Sequence, residues 1–267
     1  MDWDDMARPW LEAAPGLEMT HKPVLDALLD AARLSEGEAI LDVGSGTGPS
    51  LIEAARLIGP TGHVTGVDVA PPLLAHAAAR VPDNVELVVA DAGSHSFSEA
   101  QFDVVLSNFG IMFFEDNAAA FSNLRKAARP GARLAASVWG PPANNPWFSV
   151  PRAVVDRIVA DVPRPDPAGP GPMRFGDPAP LITALTSAGW APSVETLDIS
   201  LTPPGTAEDV AALHMKVTAG MMLRGVEVSE DTLAQIEAAL VDVTKGQRVN
   251  GAIRVPAEIH IVTATAV

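Results

Sequence analysis

A run of glycines near the start of the chain could hold a ligand against bare backbone. Ala39 to Val43 is a short, mostly apolar run typical of a buried parallel strand, and Gly44-Ser45-Gly46-Thr47-Gly48 follows it. A helical pattern then begins at Pro49, and proline suits this first position because an N–H group there would have no helical partner. Glycines let a ligand approach the main chain, and a helix start directs unpaired N–H groups at negative charge. The pattern predicts a ligand-binding turn, although a glycine-rich turn without a ligand would have the same residues.

Two aspartates end the next two predicted strands. The second strand begins at His63 and ends at Asp68, and the third covers Val85 to Ala90 and is followed by Asp91. Because the carboxyl ends of parallel strands face the ligand crevice, a carboxylate at Asp68 can accept hydrogen bonds from both hydroxyls of a ribose. The first strand thus ends in a glycine turn, and the second and third strands end in aspartates. Together these three strand ends favour a nucleoside ligand more specifically than any single one of them does.

The glycine spacing separates two nucleoside cofactors. A dinucleotide-binding turn requires G-x-G-x-x-G, and its third glycine would stand where this chain has Pro49. The chain instead has GxGxG, with Asp42 two residues before the first glycine. This pattern resembles motif I of the class I S-adenosylmethionine (SAM) methyltransferases, which implies SAM as cofactor and S-adenosylhomocysteine as product. An NAD-dependent enzyme is disfavoured by Pro49 and by Asp91.

The resemblance extends over residues 38–139. The stretch VVADA, followed by Phe97, and the stretch RPGARLAASVW at 129–139 are similar to that family. The stretch FDVVLSNFGIMFF at 102–114 resembles the family's small-molecule branch, close to the quinone and menaquinone methyltransferases. In that family the acidic residue matching Asp91 meets the adenine amino group, and the next backbone N–H, here that of Ala92, meets a ring nitrogen. The cofactor-binding residues that the resemblance implies are Asp42, Gly44, Ser45, Gly46, Gly48, Asp68, Val69, Asp91, Ala92 and Asn108.

Composition narrows the classes of partner. The 267 residues carry a formal net charge of −15 and contain no cysteine or tyrosine. Such an acidic chain without a Lys/Arg cluster argues against nucleic acid, and Ser107-Asn108-Phe109-Gly110 lacks the prolines of the amino-methylating nucleic-acid enzymes. Since the sheet edge has no adjacent acidic pair, no metal is predicted. Without an apolar run of about 18 residues or a secretory signal, we expect no membrane span and a cytoplasmic location. A monomer or a homodimer is expected.

The residues that would bind the methyl acceptor follow a less specific pattern than those that would bind the cofactor. The aromatic and sulfur side chains after the fourth strand, Phe109, Met112 and Phe113, together with Trp147, could line an apolar substrate pocket or pack in the core. The sequence does not identify a base that removes a proton from the acceptor, and three residues are candidates for this role. They are His214 and His21, which lie in segments assigned to a lid, and Glu115, which follows the fourth strand.

The predicted fold is α/β, a Rossmann-like seven-stranded methyltransferase sheet with helices on both faces, a last strand that is antiparallel, and a helical cap. Four regions are predicted: an N-terminal lid of short helices (1–38), a SAM-binding core (39–139), a Pro-rich substrate-cap insertion (140–176), and the rest of the core with a two-helix cap insertion at about 205–246 (177–267). Within the cap insertion, helices are expected at 206–223 and 229–243.

The resulting hypothesis is a SAM-dependent methyltransferase that moves a methyl group to a small, fairly apolar molecule by direct in-line displacement. The acceptor atom cannot be read from the sequence. The alternative is a methyltransferase-fold protein that binds SAM or S-adenosylhomocysteine as a structural cofactor for a non-methylating reaction, or as a regulatory module.

Overall fold

The computed structural model describes residues 3–267. The helices are α1 (Trp3–Ala32), α2 (Pro49–Ile58), α3 (Pro71–Ala78), α4 (Asn117–Ala127), α5 (Pro146–Ile158), α6 (Ala179–Ser187), α7 (Ala207–Lys216), α8 (Thr218–Met222) and α9 (Glu230–Lys245). The strands are β1 (Ala39–Val43), β2 (His63–Asp68), β3 (Val85–Val89), β4 (Phe102–Asn108), β5 (Ala128–Trp139), β6 (Trp190–Leu201), β7 (Arg248–Val249), β8 (Ala252–Ile253) and β9 (Val255–Ala266). Residues 1 and 2 of the predicted lid lie outside the described residues.

Within the described chain, seven strands form one sheet in the order β3-β2-β1-β4-β5-β9-β6. The neighbours from β3 to β5 are parallel, whereas β9 runs antiparallel to both β5 and β6. The predicted seven-stranded sheet with an antiparallel last strand is confirmed. The chain moves outward from β1 through β2 and β3 and then returns to β4 on the other side of β1. This reversal opens a crevice at the carboxyl ends of β1 and β4, where open α/β sheets bind ligands.

The N-terminal segment is one 30-residue helix, so the prediction of short helices broken at Pro9 and Pro15 was wrong. A proline inside a helix costs about 3 kcal/mol. The apolar face of α1 offsets this cost, because each buried aliphatic side chain contributes about 1.5–3 kcal/mol, and Leu17, Val24 and Leu28 are all buried. The burial of apolar side chains along this face of α1 therefore outweighs the tendency of the prolines to end the helix.

The segment after β6 compensates for the third proline of α1. Pro23 has no N–H group, so the carbonyl of Met19 lacks its usual helical donor. The hydroxyl of Thr202 donates to that carbonyl at 3.1 Å, and the Thr202 N–H donates to the Thr20 carbonyl at 3.3 Å. The part of α1 before Pro23 is thus fixed to the segment that follows β6.

Three further boundaries differ from the sequence prediction. The stretch Arg129-Pro130-Gly131 has the residues of a turn but forms an irregularity inside β5, since Phe102 pairs with Ala128 whereas Val104 pairs with Arg133. The alternating apolar pattern of the sixth strand predicts a start at 194, but the strand begins at Trp190, because an edge strand tolerates Pro192. The helix expected at 206–223 is interrupted at Val217, which separates α7 from α8.

The helices α5, α7, α8 and α9 pack around a second hydrophobic cluster beside the sheet. Its central side chains include Val155 of α5, Ala211 of α7, Ala219 of α8 and Leu240 of α9, all fully buried. These helices therefore form a cap with apolar contacts of its own. Within residues 3–267, no helix is long and apolar enough to cross a membrane.

Candidate active site

A cavity of about 760 Å³ opens at the carboxyl ends of the central strands. One end, called here the glycine end, is lined by the turn after β1 and by polar residues after β2 and β3: Gly44, Ser45, Gly46, Asp68, Val69, Asp91 and Ala92. The other end, called here the aromatic end, is lined by Phe109, Met112, Phe113, Trp139, Trp147 and Phe148. The cavity thus joins a polar compartment to an apolar one.

The glycine turn is held open by its backbone conformation. Gly44, Gly46 and Gly48 have φ values of 70°, 54° and 93°, in the left-handed region that side chains disfavour. A Cβ atom on Gly44 would lie 2.8 Å from the Cα atom of Gly110. The loop after β4 therefore lies directly against the turn, and glycine is needed at the contact.

Asp68 connects the ends of β1 and β2. Its carboxylate accepts hydrogen bonds from the Gly46 N–H and the Ala70 N–H, each at 2.9 Å. Burial raises the pKa of Asp68 above its usual range, although these backbone donors and that of Val69 act in the opposite direction. The carboxylate lines the cavity and keeps further acceptor lone pairs for a ligand.

Asp91 is an exposed carboxylate at the end of β3. It accepts from the Gly93 N–H at 2.8 Å and from the Ser94 hydroxyl at 3.0 Å, and these bonds fix the loop that carries Ala92. Both Asp91 and Ala92 line the glycine end of the cavity.

The segment after β4 is strained where it meets the cavity. Phe109 has a φ of 64°, a rare conformation for a bulky residue, and such strain concentrates at functional sites. The Ser107 hydroxyl stabilises the turn, because it donates to the Val43 carbonyl and accepts from the Gly110 and Ile111 N–H groups. The amide oxygen of Asn108 accepts from Ser137, which fixes its side chain at the cavity wall.

The aromatic end is a set of mutually packed rings. Phe109 and Trp139 stack with their centroids 4.5 Å apart and their planes 8° from parallel. Phe148 meets Trp139 edge-on at 4.9 Å. The Pro-rich segment closes the wall through Pro172, since the neighbouring Gly171 N–H donates to the Met112 carbonyl at 3.1 Å. Flat apolar surfaces of this kind suit a planar apolar ligand.

Comparison with known proteins assigns the family. Residues 40–131 match the family model described as a methyltransferase domain. The chain is 33% identical over 189 residues to the nocamycin O-methyltransferase of Saccharothrix syringae, and this alignment covers 66% of the chain and 67% of that protein. This protein is a class I SAM-dependent methyltransferase. Its cofactor is SAM.

A second relative belongs to the quinone and menaquinone methyltransferases that the stretch at 102–114 resembles. The methyltransferase is 31% identical over 121 residues to the ubiquinone/menaquinone biosynthesis C-methyltransferase of Pseudomonas putida, over 43% of this chain. The chain spans about half, 47%, of the length of that relative.

Solved structures share the fold of the methyltransferase at low sequence identity. Phosphoethanolamine N-methyltransferase 2 of Haemonchus contortus, in complex with S-adenosylhomocysteine, superposes with a TM-score of 0.55 at 18% identity, over 91% of this chain and 52% of that one. The [4+2]-cyclase SpnF superposes with a TM-score of 0.53 at 20% identity, over 91% and 80%. These likenesses establish the fold.

Two of the predicted cofactor residues lie beneath the cavity of the methyltransferase and do not line it. Asp42 is fully buried and accepts from the Ser50 hydroxyl at 2.5 Å, which ties β1 to the first turn of α2. Burial raises the pKa of Asp42 to about 7. A Cβ atom on Gly48 would lie 3.1 Å from the Cβ of Ala77, so Gly48 permits close packing of α3.

The three candidate bases of the methyltransferase occupy different places. His21 of α1 lines the aromatic end, and Glu115 lines the cavity near Phe114. His214 lies behind the cavity, with its ring 4.2 Å from that of Trp147 and its Nδ1 atom 2.8 Å from the Thr218 hydroxyl oxygen. Burial lowers the pKa of His214 to about 3, so it stays neutral.

One polar network at the mouth of the site was missed from the sequence. Glu18 of α1 accepts from the Thr47 hydroxyl at 2.6 Å, and Arg80 donates to both of its carboxylate oxygens at 2.6 and 2.7 Å. Arg80 also donates to the Thr47 carbonyl at 3.0 Å. Burial alone would raise the pKa of Glu18, but the bonds from Arg80 and Thr47 lower it. Glu18 and Arg80 are 62 positions apart, and no local pattern connects them.

Proposed function

We propose that this methyltransferase moves the SAM methyl group to a small, fairly apolar molecule by in-line displacement. The observation that carries this proposal is the continuity of the glycine end with the aromatic end in one cavity of about 760 Å³. Binding pockets for small ligands span roughly 300–1,000 Å³ and combine apolar walls with a few polar groups, as this one does.

In this proposal the glycine end holds the cofactor. The backbone at Gly44 and Gly46 lies against the methionine part, and Asp68 accepts hydrogen bonds from the ribose hydroxyls. Asp91 and the Ala92 N–H meet the adenine. The left-handed glycines and the buried carboxylate of Asp68 support this assignment. Ser45, Val69 and Asn108 complete the wall, while Asp42 and Gly48 support the turn from below.

The acceptor lies in the aromatic end, against the stacked rings of Phe109 and Trp139. Met112, Phe113 and Trp147 line the same compartment and favour an acceptor without charge. The relative from Saccharothrix syringae is named for O-methylation of nocamycin, and the Pseudomonas putida relative for C-methylation of quinones. The names of these relatives support a small organic acceptor.

SAM supplies a methyl group that is already activated on a sulfonium. The residues of the chain must therefore align the acceptor with that methyl and exclude water. Helix α1 contributes Leu17, His21 and Leu25 to the wall, α5 contributes Trp147, and α8 contributes Met221.

Calorimetric titration tests the cofactor, and product analysis tests the transfer. We expect micromolar binding of SAM and S-adenosylhomocysteine and no binding of NADH. A screen of planar hydroxylated aromatic compounds should then release S-adenosylhomocysteine in step with a methylated product. Tight cofactor binding without product from any acceptor would favour the non-methylating alternative, which the shared fold of the cyclase SpnF keeps open.

A further inference from the structure

His21 is a half-buried residue of α1 that lines the aromatic end of the cavity. Its ring lies among three aromatic rings, 5.5 Å from Phe109, 5.5 Å from Trp139 and 5.9 Å from Trp147, all in edge contacts. Its Nε2 atom is buried and has no hydrogen-bond partner among the described residues. Buried polar atoms in proteins are almost always paired, so an unpaired one on a residue that lines a cavity points to a ligand.

The neighbours of His21 on α1 do not share this position. The Thr20 hydroxyl donates to the Gly16 carbonyl at 2.7 Å and is buried. Lys22 is turned outward and donates to both carboxylate oxygens of Asp26 at 2.7 Å. Of the three residues at 20–22, His21 alone lines the cavity.

Many ionisable groups on the elements around His21 have partners of their own. They include Glu18 with Arg80 on α1 and α3, Arg152 with Asp156 on α5, Arg129 with Asp103 and Arg133 with Glu38 at the far end of β5, His214 with Thr218 behind Trp147, and Glu115 and Asp116 beside Arg174. Burial, without an opposing charge, lowers the pKa of His21 to about 4. The imidazole is therefore neutral near pH 7, and a neutral ring offers one nitrogen as an acceptor.

We propose that His21 is a catalytic residue that accepts the proton of a hydroxyl group on the acceptor, so that the enzyme O-methylates a phenol or enol on a flat apolar molecule. This inference rests on the proposed methyl transfer and names the acceptor atom and its chemical class. The unpaired Nε2 atom meets the hydroxyl, and the rings of Phe109, Trp139 and Trp147 hold the body of the acceptor.

The step balances in atoms and charge. The Nε2 lone pair takes the hydroxyl proton, the oxygen uses the released electron pair to form the O–CH₃ bond, and the S–CH₃ bond breaks with its electron pair remaining on sulfur. The products are the methyl ether, neutral S-adenosylhomocysteine and an imidazolium, which returns its proton to solvent. A nearby positive sulfonium opposes protonation of the imidazole before transfer, and its neutralisation favours protonation afterwards. One positive charge remains in the cavity throughout.

Binding tests the hydroxyl contact without turnover. With the enzyme saturated in S-adenosylhomocysteine, calorimetry should show that 2-naphthol binds about two- to tenfold more tightly than naphthalene, as one hydrogen bond provides. His21→Phe should bind the two probes equally. His63→Gln is the control, since His63 is exposed at the opposite end of β2. No preference in the wild type, or the same preference in His21→Phe, would overturn the proposal.

Kinetics test the proton transfer on an acceptor from the product screen. General base catalysis contributes roughly 10²- to 10⁴-fold, so His21→Gln should lower kcat by at least about a hundredfold at pH 7. Its residual rate should increase with pH as the acceptor ionises, whereas wild type and His63→Gln stay nearly flat between pH 6 and 8. The SAM affinity of His21→Gln should stay unchanged.

The outcomes separate the two proposals. If His21→Gln turns over like wild type, the catalytic assignment is wrong while methyl transfer stands. If His21→Gln loses SAM affinity, His21 binds the cofactor and the assignment is also wrong. If the wild type binds SAM but releases no S-adenosylhomocysteine with any acceptor, the proposed function fails and the catalytic role of His21 fails with it.

Discussion

At the scale of single residues, Asp68 has the greatest expected effect on the cofactor. It holds the Gly46 and Ala70 N–H groups and, in the proposed complex, both ribose hydroxyls. Hydrogen bonds to a charged group contribute about 1.5–3 kcal/mol each. Asp68→Ala should therefore weaken SAM binding by about one to a few decades, as measured by calorimetry.

A matched control for this prediction is Asp83→Ala, because Asp83 is exposed before β3. Thermal unfolding of Asp68→Ala should remain cooperative, which distinguishes lost ligand contacts from a lost fold. SAM affinity equal to that of wild type would remove Asp68 from the ribose site.

Asp42 makes stability depend on pH. Burial raises its pKa from the ordinary 3.8 to about 7 in the folded state, so the protonated carboxyl is the favoured form there below that pH. The pKa of Asp42 is higher in the folded state than in the unfolded state, so protonation of Asp42 stabilises the fold. This stabilisation is fully present below about pH 4 and is lost as the pH rises toward 7. Asp42→Asn, which keeps an oxygen for the Ser50 hydroxyl, should lack this dependence.

Urea unfolding at pH 5 and pH 8 measures that difference. The free energy of unfolding of Asp42→Asn, relative to wild type, should rise by about 1–4 kcal/mol between the two pH values. A relative stability that does not change with pH would show that Asp42 is ionised in the folded protein.

At the scale of elements, the β4 loop and the glycine turn must touch. A Cβ atom on Gly110 would overlap the Val43 carbonyl oxygen and lie 2.8 Å from the Ser107 hydroxyl. Gly110→Ala should therefore lower the free energy of unfolding by about 1–3 kcal/mol, as overpacking does. It should also weaken SAM binding. Gly171→Ala is the control, since a Cβ there meets no atom within 4 Å. Equal stability of the two variants in urea would contradict the close contact.

Helix α1 is fastened to the glycine turn by Glu18. The side chains of Glu18 and Arg80 remain partly exposed, at 21% and 31%, so solvent reduces the contribution of the pair. We expect Glu18→Ala to destabilise the closed position of α1 by about 1 kcal/mol and to speed amide exchange of residues 7–17 by about fivefold. Asp26→Ala removes an exposed pair with Lys22 that lies within α1 and serves as control. Unchanged exchange in Glu18→Ala would mean that burial alone holds α1.

At the scale of the whole molecule, the cavity joins parts of the chain that are far apart in sequence. Its walls come from α1, the ends of β1, β2 and β4, and the cap helices α5 and α8. A ligand bound there should stabilise all of them together. At a hundred times its Kd, S-adenosylhomocysteine should add about 2.7 kcal/mol. The corresponding increase in Tm is roughly 5–10 °C. NADH should give no shift in the same melting experiment, and an equal shift with NADH would contradict the cofactor specificity.

The sequence by itself determined the central sheet and the type of cofactor. The strand at Ala39–Val43, the glycines at 44–48 and the aspartates at 68 and 91 are local patterns, and their order along the chain implies one edge of a parallel sheet. No long-range information is needed for this, because neighbouring parallel strands place their carboxyl ends together. The ends of a strand are harder to predict where the fold tolerates a proline, as the edge strand β6 tolerates Pro192.

Only the tertiary structure decided which residues face the cavity. His21 enters the aromatic end because α1 continues through its prolines, which burial against the sheet and two bonds from Thr202 make possible. Asp42 points beneath the turn, and His214 points behind Trp147, although both stand in segments that the sequence had assigned to the site or its lid. Glu18 meets Arg80 across 62 positions. Contacts between distant segments follow from how whole elements pack, and packing is a property of the folded chain that no local pattern records.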